Sequence, residues 1–205
     1  MKKITILIPC FNESKTIEEV ILKIKQNEIT NKEIIIVDDF SNDGTREILK
    51  GLDLSSNENI KILFHDINTG KGSAIQTGLK AVTGEFTIIQ DADLEYDPND
   101  YNKLLQPIIN NGADVVYGSR FVGAGSTRVL FFWHRIANGI LTLLSNMKSN
   151  LNLTDMECGY KIFKTSKRNK RIISFSKKNG IYLKDFKFQE DDVLLFGRED
   201  SGLPN

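Results

Sequence analysis

Long hydrophobic runs are missing from this chain of 205 residues. No window approaches the roughly eighteen continuous apolar residues of a spanning helix, so nothing in it is expected to cross a bilayer. Cysteine is scarce: Cys10 and Cys158 lie far apart, with no partner cysteines at zinc-like spacing. That argues against a disulfide framework or a cysteine zinc site and for two free thiols in a reducing compartment. Net charge is also missing, since 27 Lys and Arg offset 27 Asp and Glu, and the global electrostatic case for nucleic acid goes with it. What remains, 40% hydrophobic and 26% charged residues, is ordinary for a soluble globular domain with one full core and room for a small appendage. The opening MKKITILIPC is too briefly apolar for an export signal and is broken by Pro9, so it reads as a first strand.

Strand-like and helix-like segments alternate from there. KITILIP is followed by SKTIEEVILKIK, with Ile17, Val20, Ile21 and Ile24 on one helical face and Asn12 or Ser14 as its cap. KEIIIVDD has the continuous apolar character of a central parallel strand, and SNDGT is a turn tightest at Gly44. IKILFH is a third strand, and NTGKGSAIQTGLKAV passes from glycines into a helix with Ile75, Leu79 and Val82 facing inward. GEFTIIQ is a fourth strand. Asp97 and Pro98 then cap and begin a helix whose buried stripe is Leu104, Leu105, Ile108 and Ile109. ADVVYGSR is a fifth strand. This rhythm predicts an α/β fold, an open, mostly parallel sheet flanked by helices, with ligands collecting outside the carboxyl ends of the strands. A helix is expected over 129–147, apolar around much of its circumference. It is either sandwiched against the sheet or turned in part toward a lipid or membrane interface.

Three polar clusters fall on that carboxyl edge. Asp91, Asp93, Glu95 and Asp97 follow the fourth strand at alternate positions, a crowding of charge that costs stability unless something positive sits among them. In an extended segment Asp91 and Asp93 project the same way, which suits Mg2+ or Mn2+ completed by substrate phosphates, with Glu95 as a third ligand. A solvated acidic loop is the plainer alternative. Asp38 and Asp39 close the second strand. Asp39 is the expected contact to a sugar hydroxyl or base edge, and its neighbour serves the turn. NTGKGSA offers backbone N–H groups and Lys71 without Walker A spacing, and by itself is equally a glycine-rich turn. Arg120 and Arg128 are placed to grip phosphates, though Arg120 is also a natural ion-pair partner for the acids. His134 lies in an aromatic-rich helix and reads as packed.

Taken in order, ILIPCFNES, EIIIVDDFSNDGT, NTGKGSAIQTGLKAVTGEFTIIQDADLEYDP, ADVVYGSRF and NLTDMECGYKIF resemble family 2 glycosyltransferases. The likeness is to the branch of dolichol-phosphate mannose synthase and bacterial polyprenyl-phosphate relatives, over residues 4 to about 165. The resemblance implies a GT-A type fold, a GDP-sugar or UDP-sugar donor, a divalent cation and inversion at the sugar. It places Pro9, Phe11 (usually tyrosine), Asn12 and Glu13 in the first donor-binding block and Asp39 at the nucleoside. Asp91 and Asp93 fall at the metal, with Glu95 near it. Arg120 and Arg128 match basic positions for donor or acceptor phosphates, and Asp155 and Met156 match the acceptor-side loop. A polyprenyl phosphate acceptor is already ionised and attacks without a strong base, whereas a sugar hydroxyl would need one, for which Asp155 is the first choice. These implications lead us to expect an enzyme of the cytoplasm or of the cytoplasmic face of the membrane, with peripheral membrane contact and no nucleic-acid partner.

The pattern breaks after CGYKIFK. Residues 1–166 read as the transferase domain and 167–205 as an atypical tail, poorly packed and not an independent domain. Within it FKFQEDDVLLFGREDSGLP resembles the cofactor-loop motif of knotted tRNA 2′-O-methyltransferases, too short a piece to carry S-adenosylmethionine chemistry. A chimeric or frame-disrupted gene is the expectation for so abrupt a switch. It leaves an impaired transferase, or a nucleotide-sugar-binding remnant, as the alternative outcome.

Overall fold

The computed structural model describes residues 2–52, 59–119, 132–149, 152–155, 158–166, 172–174 and 193–195. Strands β1 (Ile4–Cys10), β2 (Lys32–Asp38), β3 (Ile60–Phe64) and β4 (Phe86–Ile89) run parallel, joined through helices α1 (Ile17–Gln26), α2 (Thr45–Gly51) and α3 (Lys71–Leu79). A short 3-10 turn, Pro98–Asp100, leads into α4 (Tyr101–Asn111) and strand β5 (Val115–Tyr117). Helix α5 (Phe132–Ser149) and strand β6 (Lys161–Lys164) follow. The six-stranded sheet has the order β3-β2-β1-β4-β6-β5. Strand β6 runs antiparallel between β4 and β5, so β5 joins the sheet only through it.

Alternation along each strand divides the core. Ile4, Ile6 and Ile8 of β1 face a cluster containing Ile17, Val20 and Ile24 of α1, Leu49 of α2 and Leu104, Leu105 and Ile108 of α4. Leu7, Ile35, Val37, Ile89 and Phe163 face the opposite way, against Ala74, Ile75 and Leu79 of α3 with Val82. Burial on both sides is why the strands read as nearly unbroken apolar runs. Ile109, expected in the stripe of α4, is exposed. It lies one position beyond Ile108, which rotates it about 100° off the buried face. Helix α1 begins later than its sequence suggests, with Thr16 as N-cap rather than Asn12 or Ser14. Asp97 does cap the turn before α4, its carboxylate accepting from Asn99 N at 2.9 Å.

At the amino end of the sheet, Glu33 is a structural hub. Its carboxylate accepts from Thr5 Oγ1 (2.5 Å), Thr83 N (2.7 Å), Thr83 Oγ1 (2.5 Å) and Gly84 N (3.1 Å), and pairs with Lys3 at 2.8 Å. Gly84 is required there, because a Cβ would meet Thr5 N at 2.7 Å.

Helix α5 departs from the expectation of an apolar helix sandwiched against the sheet. Its buried side is polar: Asn138 is 3% exposed and Thr142 6%, while Trp133 is 73% exposed and Ile140, Leu143 and Leu144 are each more than half exposed. Asn138 Nδ2 donates to Asp155 Oδ1 at 2.9 Å, and one turn pair further on Asn146 exchanges hydrogen bonds with the backbone of Leu153 at 2.8 and 2.9 Å. Among the described residues no helix is long and apolar enough to cross a membrane. Of the segment after residue 166, Ile172–Ser174 (β7) and Val193–Leu195 (β8) form a separate parallel pair, not an addition to the main sheet's edge. The methyltransferase-like loop lies outside the described residues.

Candidate functional site

The carboxyl ends of β1, β2, β3 and β4 supply the site, and backbone hydrogen bonds splice their loops together. Pro9 lies within β1 opposite Val37, and Phe11 just beyond it is exposed. Asn12 takes a left-handed φ of 58° and locks the β1 loop to the β2 loop. Its N–H donates to Ser41 Oγ at 2.9 Å and its Oδ1 accepts from Asn42 N at 2.9 Å. Glu13 N donates to Thr45 Oγ1 at 2.8 Å, and the Glu13 carboxylate accepts from Thr16 Oγ1 at 2.8 Å.

Asp39 is buried and heavily engaged. Oδ1 accepts from Thr69 N (2.9 Å), Thr69 Oγ1 (3.0 Å) and His65 Nδ1 (2.7 Å), and Oδ2 accepts from Gly70 N (2.6 Å). A carboxylate only accepts, so the Nδ1 of His65 carries the donated hydrogen. The ring's Nε2 meets Thr77 Oγ1 at 2.9 Å. Asp39 thereby organises the loop that leads into α3 at Gly70, whose φ is 91°. His65 was not singled out by the sequence reading; a lone histidine closing a strand gives no pattern to recognise. Asp38 is fully buried beside Arg46, whose guanidinium lies between the rings of Phe40 and Phe64 at 5.4 and 5.2 Å.

The acidic cluster is a bent loop rather than an extension of β4. Leu94 takes a left-handed φ of 62°, and Asp93 Oδ1 turns back to accept from Glu95 N at 3.0 Å. The loop therefore does not continue the pleat of β4, and strand alternation does not set where each acid points. Among the described residues no three acidic, histidine or cysteine side chains converge as a metal cluster, so the expected trio of Asp91, Asp93 and Glu95 is not assembled. Asp91 is the acid turned inward. It is 9% exposed, Lys71 Nζ approaches its Oδ1 at 2.6 Å, and that ion pair lacks hydrogen-bond alignment. Gly159 closes over it: a Cβ there would meet Asp91 Oδ2 at 2.2 Å. A buried carboxylate whose partner is a displaceable lysine could serve as an oxygen donor to Mg2+ or Mn2+, and Asp93 and phosphate oxygens would have to supply the rest of the shell.

Strand β6 brings in a further cation the sequence reading missed. Lys161, opposite Ile89 and Tyr117 in register, is buried, donates to Cys158 O at 2.5 Å and lies 5.4 Å from the centroid of the Tyr117 ring. Burial lowers its pKa, with Lys71 adding to the effect and Cys158, Asp91 and Asp155 opposing it. A lysine heading a two-residue apolar stretch carries no sequence signal of burial. Asp155 is 1% exposed and accepts a hydrogen bond from Asn138. The thiol of Cys10 is pushed up by burial and by Asp38, Glu13 and Asp43 nearby, so it stays protonated. Arg120, Arg128 and Met156 lie outside the described residues.

The sheet order, with crossover helices on both faces and an acid loop at the mouth of β4, is a GT-A type nucleotide-diphospho-sugar transferase fold. Solved structures share it. Glucosyl-3-phosphoglycerate synthase from Mycobacterium tuberculosis, in complex with Mn2+, UDP and phosphoglyceric acid, superposes with a TM-score of 0.62 at 21% identity, covering 83% of this chain and 58% of that one. The mannosyltransferase PcManGT from Pyrobaculum calidifontis, in complex with GDP-Man and Mn2+, gives 0.58 at 18% identity over 82% of this chain and 46% of that one. The sequence match is more specific: residues 5–172 fit the model of glycosyl transferase family 2, and the chain belongs to that family. Among its relatives, the dolichol-phosphate mannosyltransferase of Pyrococcus furiosus is 34% identical over 135 residues, 65% of this chain and 38% of that protein. The UDP-N-acetylglucosamine–dolichyl-phosphate N-acetylglucosaminyltransferase of Methanococcus voltae is 32% identical over 179 residues, 80% of this chain and 70% of that protein. These two support the polyprenyl-phosphate branch. The chain spans about half the length of the two solved structures.

Proposed function

We propose that this domain transfers a hexose, mannose or glucose, from a GDP-sugar or UDP-sugar to a polyprenyl or dolichyl phosphate, with inversion and with Mg2+ or Mn2+. The observation that carries this reading is Asp91, a buried carboxylate ion-paired with Lys71 at the mouth of β4. A cation held there by Asp91 and Asp93 would neutralise charge on the departing nucleoside diphosphate. Lys71, at the first turn of α3, is placed to exchange its carboxylate partner for a phosphate oxygen, and the N–H groups of that turn favour the same anion. Pro9, Phe11, Asn12 and Glu13 form the wall for the nucleoside. Asp39 acts there by fixing the Thr69–Gly70 loop, which lies beside it. Arg120 and Arg128 are assigned to the phosphates from the family pattern.

In the transfer itself, an oxygen of the acceptor phosphate attacks the anomeric carbon and the bond to the nucleoside diphosphate breaks, its electron pair leaving with that group. The attacking phosphate is already an anion, so the step needs no strong base. This agrees with the state of Asp155, which is buried and hydrogen-bonded to Asn138 rather than presented as a base. A sugar-hydroxyl acceptor, the alternative, would require Asp155 to leave that bond. The exposed apolar residues of α5 suit contact with a lipid acceptor's membrane at its cytoplasmic face.

Calorimetric titration with GDP and UDP, with and without Mn2+, tests the reading in the intact chain and in Asp93→Asn. Metal-dependent binding lost in the variant supports it, and the preferred nucleotide selects the donor. Absence of binding by a folded chain overturns it, while binding without transfer to polyprenyl phosphate identifies a nucleotide-sugar-binding remnant.

A further inference from the structure

One buried amide ties the acid loop to two other parts of the fold. Gln90, at the end of β4, is fully buried. Its Nε2 donates to Asp91 O at 2.9 Å and to Tyr96 O at 3.3 Å, the two ends of the bent acid loop. Its Oε1 accepts from Tyr101 Oη of α4 and Tyr160 Oη beside β6, each at 2.8 Å. Carbonyl oxygens only accept, so the NH2 group must face the loop and the amide's orientation is determined. With two donors and two lone pairs in use, Gln90 has no capacity left over. Tyr96 closes the ring of contacts: its hydroxyl accepts from Gly159 N at 2.6 Å and its ring packs on Tyr160 at 4.5 Å.

We infer that Gln90 is a positioning residue that sets how tightly the acid loop holds its divalent cation. The inference rests on the metal-dependent reading above. Between its two clamped ends the loop carries Leu94 in a left-handed conformation, which persists only where the surroundings over-determine it. Asp91 and Asp93 hang from that same stretch. Releasing the Nε2 bonds unclamps both ends of the loop and frees it to relax at Leu94, so that the backbone carrying Asp91 and Asp93 is no longer fixed. Burial raises the pKa of Tyr101 and of Tyr160, so both phenols remain neutral donors to Oε1.

Three variants separate positioning from packing, with melting temperature, Mn2+ affinity (the EPR signal of free Mn2+, at saturating nucleotide) and nucleotide affinity in EDTA as readouts. Gln90→Met should melt lower, with two buried phenols deprived of their amide acceptor, and bind Mn2+ roughly 10- to 100-fold more weakly, as for loss of an outer-shell partner. Adding Tyr101→Phe and Tyr160→Phe to it removes the orphaned hydroxyls and should recover most of the melting temperature. Mn2+ affinity should stay weak in that triple variant, and metal-free nucleotide binding should stay at the wild-type level. Tyr160→Phe alone keeps both loop bonds and should hold Mn2+ within about twofold of wild type. The inference is overturned if Gln90→Met or the triple variant binds Mn2+ like wild type, or if Tyr160→Phe weakens it as much as Gln90→Met. A folded wild type that binds no Mn2+ overturns the metal-dependent reading as well, which distinguishes the two failures.

Discussion

The sheet and helix α5 place the same kinds of residue in opposite positions. In β1, β2 and β4, isoleucines and leucines are buried and the acids collect at strand ends. In α5, Trp133, Ile140 and Leu144 face outward while Asn138, Thr142 and Asn146 form the anchoring side, by buried packing or by hydrogen bonds to the 152–155 segment. The sheet is held by apolar burial and so tolerates polar groups only where hydrogen bonds surround them, as at Glu33, Asp39 and Gln90. Helix α5 is held by side-chain amides, which leaves its apolar surface available. Hydrophobicity alone therefore says little about which side of an element faces the core.

Four experiments test this contrast. The largest effect is expected at Glu33, where burial would raise the carboxyl but hydrogen bonds from Lys3, Thr5 and Thr83 outweigh it and lower the pKa from 4.5 to about 2. The folded state therefore binds fewer protons than the unfolded state in this window, so stability is present above about pH 4.5 and is lost as pH falls toward 2. Glu33→Ala leaves buried donors at Thr83 and Gly84 unpaired and should cost about 3 kcal/mol or more in urea unfolding at neutral pH. Glu33→Gln should flatten the acid limb, and an unchanged limb would refute the assignment. Next, Asp91→Asn should lower transfer by roughly two to three orders of magnitude while leaving the melting temperature near wild type. At α5, Asn138→Ala removes a buried hydrogen bond to Asp155 and should destabilise by about 1–3 kcal/mol, an amount no exposed apolar residue of the helix should match. The smallest stability change, within about 0.5 kcal/mol, is expected for Trp133→Glu with Leu144→Glu. That pair should abolish co-sedimentation with lipid vesicles if the apolar face meets a membrane.

Much of the sheet was legible in the sequence because three parallel strands, β1, β2 and β4, are buried on both faces and leave nearly continuous apolar runs. The turn at Gly44, which has a φ of 100°, and the Asp97 cap were legible because backbone geometry restricts the residue types there. Strand β6 was hidden: KIFK is short, begins and ends in lysine, and is recruited by the edges of β4 and β5 rather than by any periodicity of its own. The acids were found, but the bend of their loop was not legible, since the left-handed turn at Leu94 interrupts the alternation that an extended chain would give. The hub at Gln90 did leave a trace, a glutamine ending an apolar strand immediately before the acids. Its partners Tyr101 and Tyr160 come from distant segments that only folding brings together. The four-residue polar spacing of Asn138, Thr142 and Asn146 was also visible, and was outweighed by the more numerous apolar residues between them.

The antiparallel insertion of β6 has a consequence for the chain as it is made. The outer edge of β4 waits for a partner about seventy residues further along. At ~5–20 residues per second that is on the order of 4 to 14 s of synthesis. Throughout that interval the apolar stretch Phe86–Ile89 presents open backbone groups to any neighbouring nascent chain. The carboxylates at 91, 93, 95 and 97 emerge directly behind it, and their mutual repulsion between chains discourages such pairing. The same acids that prepare the mature site thus guard an unfinished sheet on the ribosome.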